Sequence, residues 1–237
     1  MQAENPGESL FTLNPFDALI ASRLEQAITK YACLHDAVLP RSLFGIESDF
    51  VEKNPTLVRP YKEGEGFDPD TQIKLFASDK AGKAGRTTWY VANRSVIQSG
   101  LDQLSRWKVI VSSANAGGQK RSNQIEVVDD HSAFGRSRVA LKTFATEQEA
   151  RNFFRYATTD IIRFALLLTD ENLTSLAKKV PDLPSYTDDN GLVDYTGDVN
   201  AQLCTLFNIN KASQSYIRKV IAEKDGEEPS TQPLSSA

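Results

Sequence analysis

The stretch TEQEARNFFRYATTDIIRFALLLT, residues 146–169, constrains the fold more than any other part of the chain. Thr146 and Glu149 form a capping-box pattern, in which the hydroxyl and the carboxylate each satisfy a free amide at a helix start. Ala150, Phe153, Ala157, Ile161, Phe164 and Leu168 then recur every three or four residues, and Phe154 and Ala165 widen the stripe. That spacing predicts one long helix over 146–169 with an apolar side, and it leaves Arg151, Arg155 and Asp160 elsewhere on the surface. Such a helix must pack on something.

The preceding segments supply a sheet. Five β-type runs, at 73–77, 87–92, 107–112, 124–128 and 138–144, are separated by stretches rich in Gly, Ser, Asn and Lys. In the run at 107–112, Trp107, Val109 and Val111 are expected to face the core, with Lys108 and Ser112 facing out. Upstream, Leu19, Ile20, Leu24, Ala27, Ile28 and Tyr31 stand at helical spacing until Pro40 stops the pattern. Residues 41–50 read as a turn into a short strand. Residues 51–72, with Pro55, Pro60, Gly64, Gly66 and Pro69, read as a surface loop, and a short helix fits around 96–104. After the spine, a Pro-rich break at 180–185 precedes amphipathic helices at 199–207 and 213–224.

These readings give an α+β fold: a small mixed or antiparallel sheet with polar basic loops, packed on a long helix, with a helical N-terminal segment and C-terminal helices. The expected divisions are a helical segment at 1–40, a β-rich part at 41–145, a helical part at 146–224, and a tail at 225–237. That tail lacks the apolar residues needed to order it and is expected to be disordered.

No apolar run approaches the roughly 20 residues that a membrane span needs. The start MQAENPGESLF lacks the basic-then-apolar plan of a secretion signal, so a cytoplasmic protein is expected. Cys33 and Cys204 lie far apart in helical contexts and read as reduced buried thiols, and His35 and His131 are the only histidines. A sulfur or imidazole metal site would need nearly every soft ligand in the chain to converge, which argues against one.

The net charge of −4 hides an uneven distribution. Residues 1–73 carry 6 basic and 12 acidic side chains, 74–142 carry 12 and 5, and 143–237 carry 9 and 14. The middle third is a basic island between acidic flanks, and such an island can present a positive face to phosphate.

Within the island three polar loops join the strands. The first holds Lys80, Lys83 and Arg86 among glycines, and the glycines let backbone amides come close to phosphate. The second, 112–121, carries Asn115 and Gln119, which can pair bidentately with adenine, and Lys120 and Arg121, which can contact guanine or phosphate. The third contains Arg136 and Arg138. With Arg94 these ten residues are the candidate DNA contacts.

Enzymatic patterns are poorer. Asn14-Pro15-Phe16 lacks the second proline of an amine-gripping methyltransferase loop, and no glycine-rich nucleotide turn precedes it. Pro69-Asp70 with Asp79-Lys80 lacks the spacing that puts a carboxylate and a lysine on one strand face for magnesium-dependent phosphodiester cleavage, and Pro181-Asp182 with Glu223 sits between helices. Residues 82–88 hold the elements of a phosphate loop in the wrong order, with a strand following where a helix should.

The order of motifs resembles the target-recognition and C-terminal region of type II restriction enzymes of the fused, type IIG-like kind and of the related adenine-specific DNA methyltransferases. The matching segments are Leu43-Phe-Gly-Ile46, Ile73-Lys-Leu-Phe76, Tyr90 through Ile97, and Trp107-Lys-Val running into the Ala-Asn-Ala-Gly117 loop. They continue with the strand at 139–144, Glu149-Ala-Arg-Asn-Phe153, Ile162-Arg-Phe164, Val180-Pro-Asp-Leu183 and the segment from Asn200 to Ile209, so the similarity spans residues 16–222. The chain departs from the pattern at Ser48-Asp49, where the family often has Thr-Asn, and its 112–123 loop is short of aromatics.

The resemblance implies a DNA-recognition (specificity) module of a restriction-modification system, acting on double-stranded DNA and lacking its own methyltransferase catalytic domain. It also implies a methyltransferase or endonuclease subunit or domain as partner, with S-adenosylmethionine and magnesium held there and no cofactor in this chain. No catalytic residue is assigned. The alternatives are a restriction endonuclease subunit that itself cleaves DNA with magnesium, and a protein-interaction module whose basic island meets an acidic partner.

Overall fold

The computed structural model describes residues 14–78, 87–112, 125–168 and 175–226. Helix α1 (Pro15–Lys30) begins where its sequence says it should. The Asn14 side chain accepts a hydrogen bond from the Phe16 amide, and Pro15 occupies the first turn, where a missing N–H costs nothing. Asn14 Nδ2 also donates to the Tyr216 hydroxyl at 2.8 Å, so the Asn-Pro-Phe triplet is a helix cap tied to the C-terminal part of the chain.

The expected strand at 41–50 is absent. Amides of Leu43 and Gly45 donate to the carbonyls of Pro40 and Ser42, each three residues back, which spends them in local turns rather than in a ladder. The turn instead leads to a single helical turn, α2 (Phe50–Lys53). Strand β1 (Val58–Pro60) lies in the breaker-rich segment read as loop, with Pro60 on a sheet edge where it need not donate. The remaining strands among the described residues are β2 (Gln72–Ser78), β3 (Thr87–Asn93), β4 (Trp107–Ser112), β5 (Ile125–Val128), β6 (Ser132–Phe134) and β7 (Arg138–Phe144), with the short helix α3 (Leu101–Leu104) before β4.

They form two sheets rather than one: β1-β3-β2-β6, with β6 parallel to β2, and the antiparallel β5-β4-β7. The chain crosses from one sheet to the other just after β5. There Asp129 accepts from the His131 amide and the Ser132 hydroxyl and is paired with Lys74 of β2. Burial works against that carboxylate, but Lys74, Ser132 and the amide outweigh it and hold Asp129 below the usual carboxylate range.

The three-stranded sheet is covered on both faces. Val109, Val111, Val139 and Leu141 join the core shared with the helices, while Ile110, Val128 and Ala140 join the core shared with the four-stranded sheet. Lys108 therefore cannot point to solvent as a half-exposed strand would allow. It is 0% exposed, and its ammonium donates to the carbonyls of Leu104, Arg106 and Asp129 at 3.0, 2.5 and 3.2 Å, near the Phe44 ring. A register irregularity between Val109 and Ile110 leaves Leu141 out of the ladder, so Lys142 follows Leu141 onto the helical side. There it bonds Asp182 at 2.6 Å, which in turn accepts from the Tyr186 hydroxyl at 2.7 Å.

The expected spine is two helices, α4 (Glu147–Ala157) and α5 (Asp160–Leu167). The capping box at Thr146 and Glu149 is present. The break lies at Thr158, whose hydroxyl bonds the Phe154 carbonyl at 2.7 Å, and Thr159, whose extended backbone and side chain cap α5. Periodicity carries across the break because Phe153, Ala157, Ile161 and Phe164 still reach one core. Helices α6 (Val199–Leu206) and α7 (Lys211–Asp225) follow. Helix α7 runs one residue into the stretch read as tail, because the Asp225 carboxylate meets Arg163 of α5 in a bidentate pair at 3.0 and 2.5 Å, with both side chains under 10% exposed.

Phe153→Ala should lower the free energy of unfolding by ~3–5 kcal/mol, because it empties a fully buried site where Phe144, Tyr156 and Tyr186 converge. Asp225→Ala should also cost about 3–5 kcal/mol by removing the carboxylate that pairs with the buried Arg163 guanidinium. Urea titration of both variants measures these losses. A loss under about 1 kcal/mol for Asp225→Ala would mean that the end of α7 does not dock.

Candidate nucleic-acid interface

Strand register fixes where the loops emerge. Ser78 lies opposite Thr87 at one end of the β2–β3 pair, so the 79–86 connection starts and ends there. Phe134, the last residue of β6, pairs with Phe76 near that same end, and the Gly135 amide donates to the Phe76 carbonyl. Arg138 then opens β7 opposite Ser112, the last residue of β4, from which the 113–124 connection departs to return at Ile125. The roots of all three basic loops are thus drawn to one end of the molecule by ladder pairing alone.

Of the ten candidate contacts, Lys80, Lys83, Arg86, Asn115, Gln119, Lys120 and Arg121 lie outside the described residues. The other three differ. Arg136 sits at the loop end, where its side chain pairs with Glu47 at 2.7 Å and its amide donates to the Ile46 carbonyl, so the Phe-Gly-Ile turn lies beside this loop. Arg138 is also at the loop end but is only 7% exposed, with its guanidinium carbon 4.8 Å from the centre of the Phe76 ring. Arg94 is not with them. It follows Asn93, which pairs with Gln72 at the opposite end of β2 and β3, about 20 Å away at the rise of an extended strand.

The charge of the island is divided in the same way. Among the described cations of the island, Lys74, Arg136 and Lys142 each meet a carboxylate, Lys108 is enclosed by carbonyls, Arg106 donates to Thr143, and Arg138 is buried over Phe76. Five of the twelve cations of the island lie instead in the two hairpin connections 79–86 and 113–124. By sequence, these five cations belong to connections whose roots lie at the end where the loop roots converge.

Two residues of this region gave no sequence signal. Lys108 looked like an outward strand residue because nothing local reports that β4 is buried on both faces. Glu126 looked like an ordinary strand residue. Its carboxyl is pushed up by burial, against the pull of Arg138, which lies two strands away across β4. Asp182, considered for metal-assisted cleavage, is engaged by Lys142 and Tyr186 in the core.

No family model matches the chain. Nor does any curated protein. Among the described residues, no helix is long and apolar enough to cross a membrane.

Burial pushes the Lys108 ammonium down to about 7, against the pull of Asp129 and Asp130, and Arg106 lowers it further. Between about pH 7 and the ordinary lysine value, the unfolded chain binds more protons at this position than the folded chain does. Stability relative to Lys108→Met should then rise with pH over that window and fall away as the pH drops through 7. Urea titrations of both proteins at pH 6 and pH 9 check this. A difference that does not change with pH would show that the three carbonyls keep the ammonium charged throughout.

Proposed function

We propose that this chain is the sequence-specific DNA-recognition module of a restriction-modification system, a specificity unit that docks a double helix and leaves chemistry to a methyltransferase or endonuclease partner. The observation that carries the reading is the convergence of three loop roots at one end of the two sheets, together with the sequence of the connections that spring from it, which hold five of the twelve cations of the basic island. Duplex DNA needs both parts of that arrangement. Cations neutralise phosphates and release counterions, and adjacent loops on a rigid base can reach base edges in a groove.

The resemblance in motif order to type IIG-like restriction enzymes and adenine-specific methyltransferases supports the restriction-modification context. S-adenosylmethionine and magnesium then belong to the partner. Asn115 and Gln119 supply adenine-type donor and acceptor pairs, and Lys80, Lys83, Arg86, Lys120, Arg121 and Arg136 supply phosphate or guanine contacts.

Gel-shift titration of duplex DNA over a range of salt concentrations tests the reading. The wild-type chain should bind at low salt, and replacing Lys120 and Arg121 together by alanine should weaken binding and flatten its salt slope by about two, one per lost phosphate contact. No retention of duplex DNA at low salt would overturn the proposal. Magnesium-dependent cutting by the purified chain, abolished by a single Asp→Ala change, would replace it with the endonuclease reading.

A further inference from the structure

Arg138 is a poor choice for stability. It is 7% exposed, its Nε is buried with no acceptor, and burial lowers the affinity of its guanidinium for the proton, with only Glu126 opposing that effect. A donor buried without a partner costs free energy that an apolar side chain of similar size would not. Arg138 nevertheless stands at the centre of the loop end, opposite Ser112 and over Phe76, between the roots of the 79–86 and 113–124 connections. A partner docking at the loop end is one source of the acceptors that the guanidinium lacks.

The neighbouring carboxylate narrows what that is. Directly paired residues of an antiparallel ladder share a face, so Arg138 beside Ser112 and Glu126 beside Ile110 lie on the same side of the sheet. From that face the Glu126 carboxylate acts on the guanidinium across β4 and offsets part of its charge. That is unfavourable for a phosphate, which gains from uncompensated charge. It suits a neutral partner that offers acceptors to one group and a donor to the other. In the major groove, guanine presents the O6 and N7 acceptors and its paired cytosine the N4 donor. The Phe76 ring and the surrounding burial also hold the guanidinium still, which favours planar, two-bond recognition over the point-charge contact that a mobile lysine makes.

Resting on the DNA-recognition reading, we propose that Arg138 and Glu126 form the specificity-determining pair of the loop end and read one G·C base pair, the guanidinium bonding guanine and the carboxylate accepting from cytosine.

Selection of bound duplexes from a randomised pool, using the full chain, tests this. Wild type should enrich a motif with one fixed G·C pair. Arg138→Lys, which keeps the charge and loses the fork, and Arg138→Met should lose enrichment at that one position and weaken the best site roughly 5- to 150-fold. Both should keep the other positions and the affinity for unrelated duplex. Glu126→Gln should broaden the same position only. Arg138→Met should melt at or above the wild-type temperature, which separates a reading role from a strut between the sheets. An unchanged motif in both Arg138 variants would overturn the proposal and leave the DNA-recognition reading standing. Equal weakening on all sequences with a salt slope lower by about one would overturn it in favour of a phosphate contact. Failure of the wild-type chain to bind any duplex would remove the DNA-recognition reading and this pair with it.

Discussion

Burial of β4 on both faces makes the three-stranded sheet a wall shared by two cores, and the two lysines on that wall find their partners inside the protein. Val109 and Val111 fill the helical side, while Ile110 fills the side toward the second sheet. Lys108, on the same face as Ile110, is accommodated because α3, the turn after it and the Asp129 crossing each bring a carbonyl to its ammonium. The sheet irregularity at Val109 and Ile110 lets Lys142 turn to the opposite side, where Asp182 and Tyr186 tie it to the chain beyond the helices. These two lysines join the sheet to its two neighbouring layers.

That wall also decides where the surface chemistry goes. Lys74, Lys108 and Lys142 of the sheets are matched within the fold, so they contribute little to a field outside it. The loops rooted at Ser78 and Thr87, at Ser112 and Ile125, and at Gly135 spring from a single end, because β6 runs parallel to β2 before β7 returns beside β4. The acidic flanks reach the basic island at Glu47, which pairs with Arg136, and at Asp182, which pairs with Lys142, while the two long connections carry five of its cations. A chain with net charge −4 can then present one positive end to a polyanion.

Local signals in the sequence were read well where local chemistry decides the outcome. The capping box at Thr146 and the five strand runs appear where their residues place them. What failed was set by distant partners. The spine divides at Thr158 and Thr159, whose side chains compete for helix hydrogen bonds while the apolar period runs on unbroken. One sheet became two because β6 crosses over to β2, a parallel pairing with no periodicity signature of its own. Asp225 belongs to α7 because Arg163, more than sixty residues earlier, awaits it. In the candidate site, the cluster of loop cations was legible as a charge block. The isolation of Arg94 and the burial of Arg138 depend on register, which sequence spacing does not report.

The central claim is that duplex DNA meets the end of the molecule where the three loops are rooted. Amide hydrogen exchange on the full chain, with and without duplex DNA, tests it directly. Binding should slow exchange at residues 135–138 and at the flanking strand ends near Ser78, Thr87, Ser112 and Ile125. The turn at Arg94 and the outer surfaces of α1 and α7 should be unaffected. Protection confined to the Arg94 end or to the helical face, with none at the loop roots, would contradict the account.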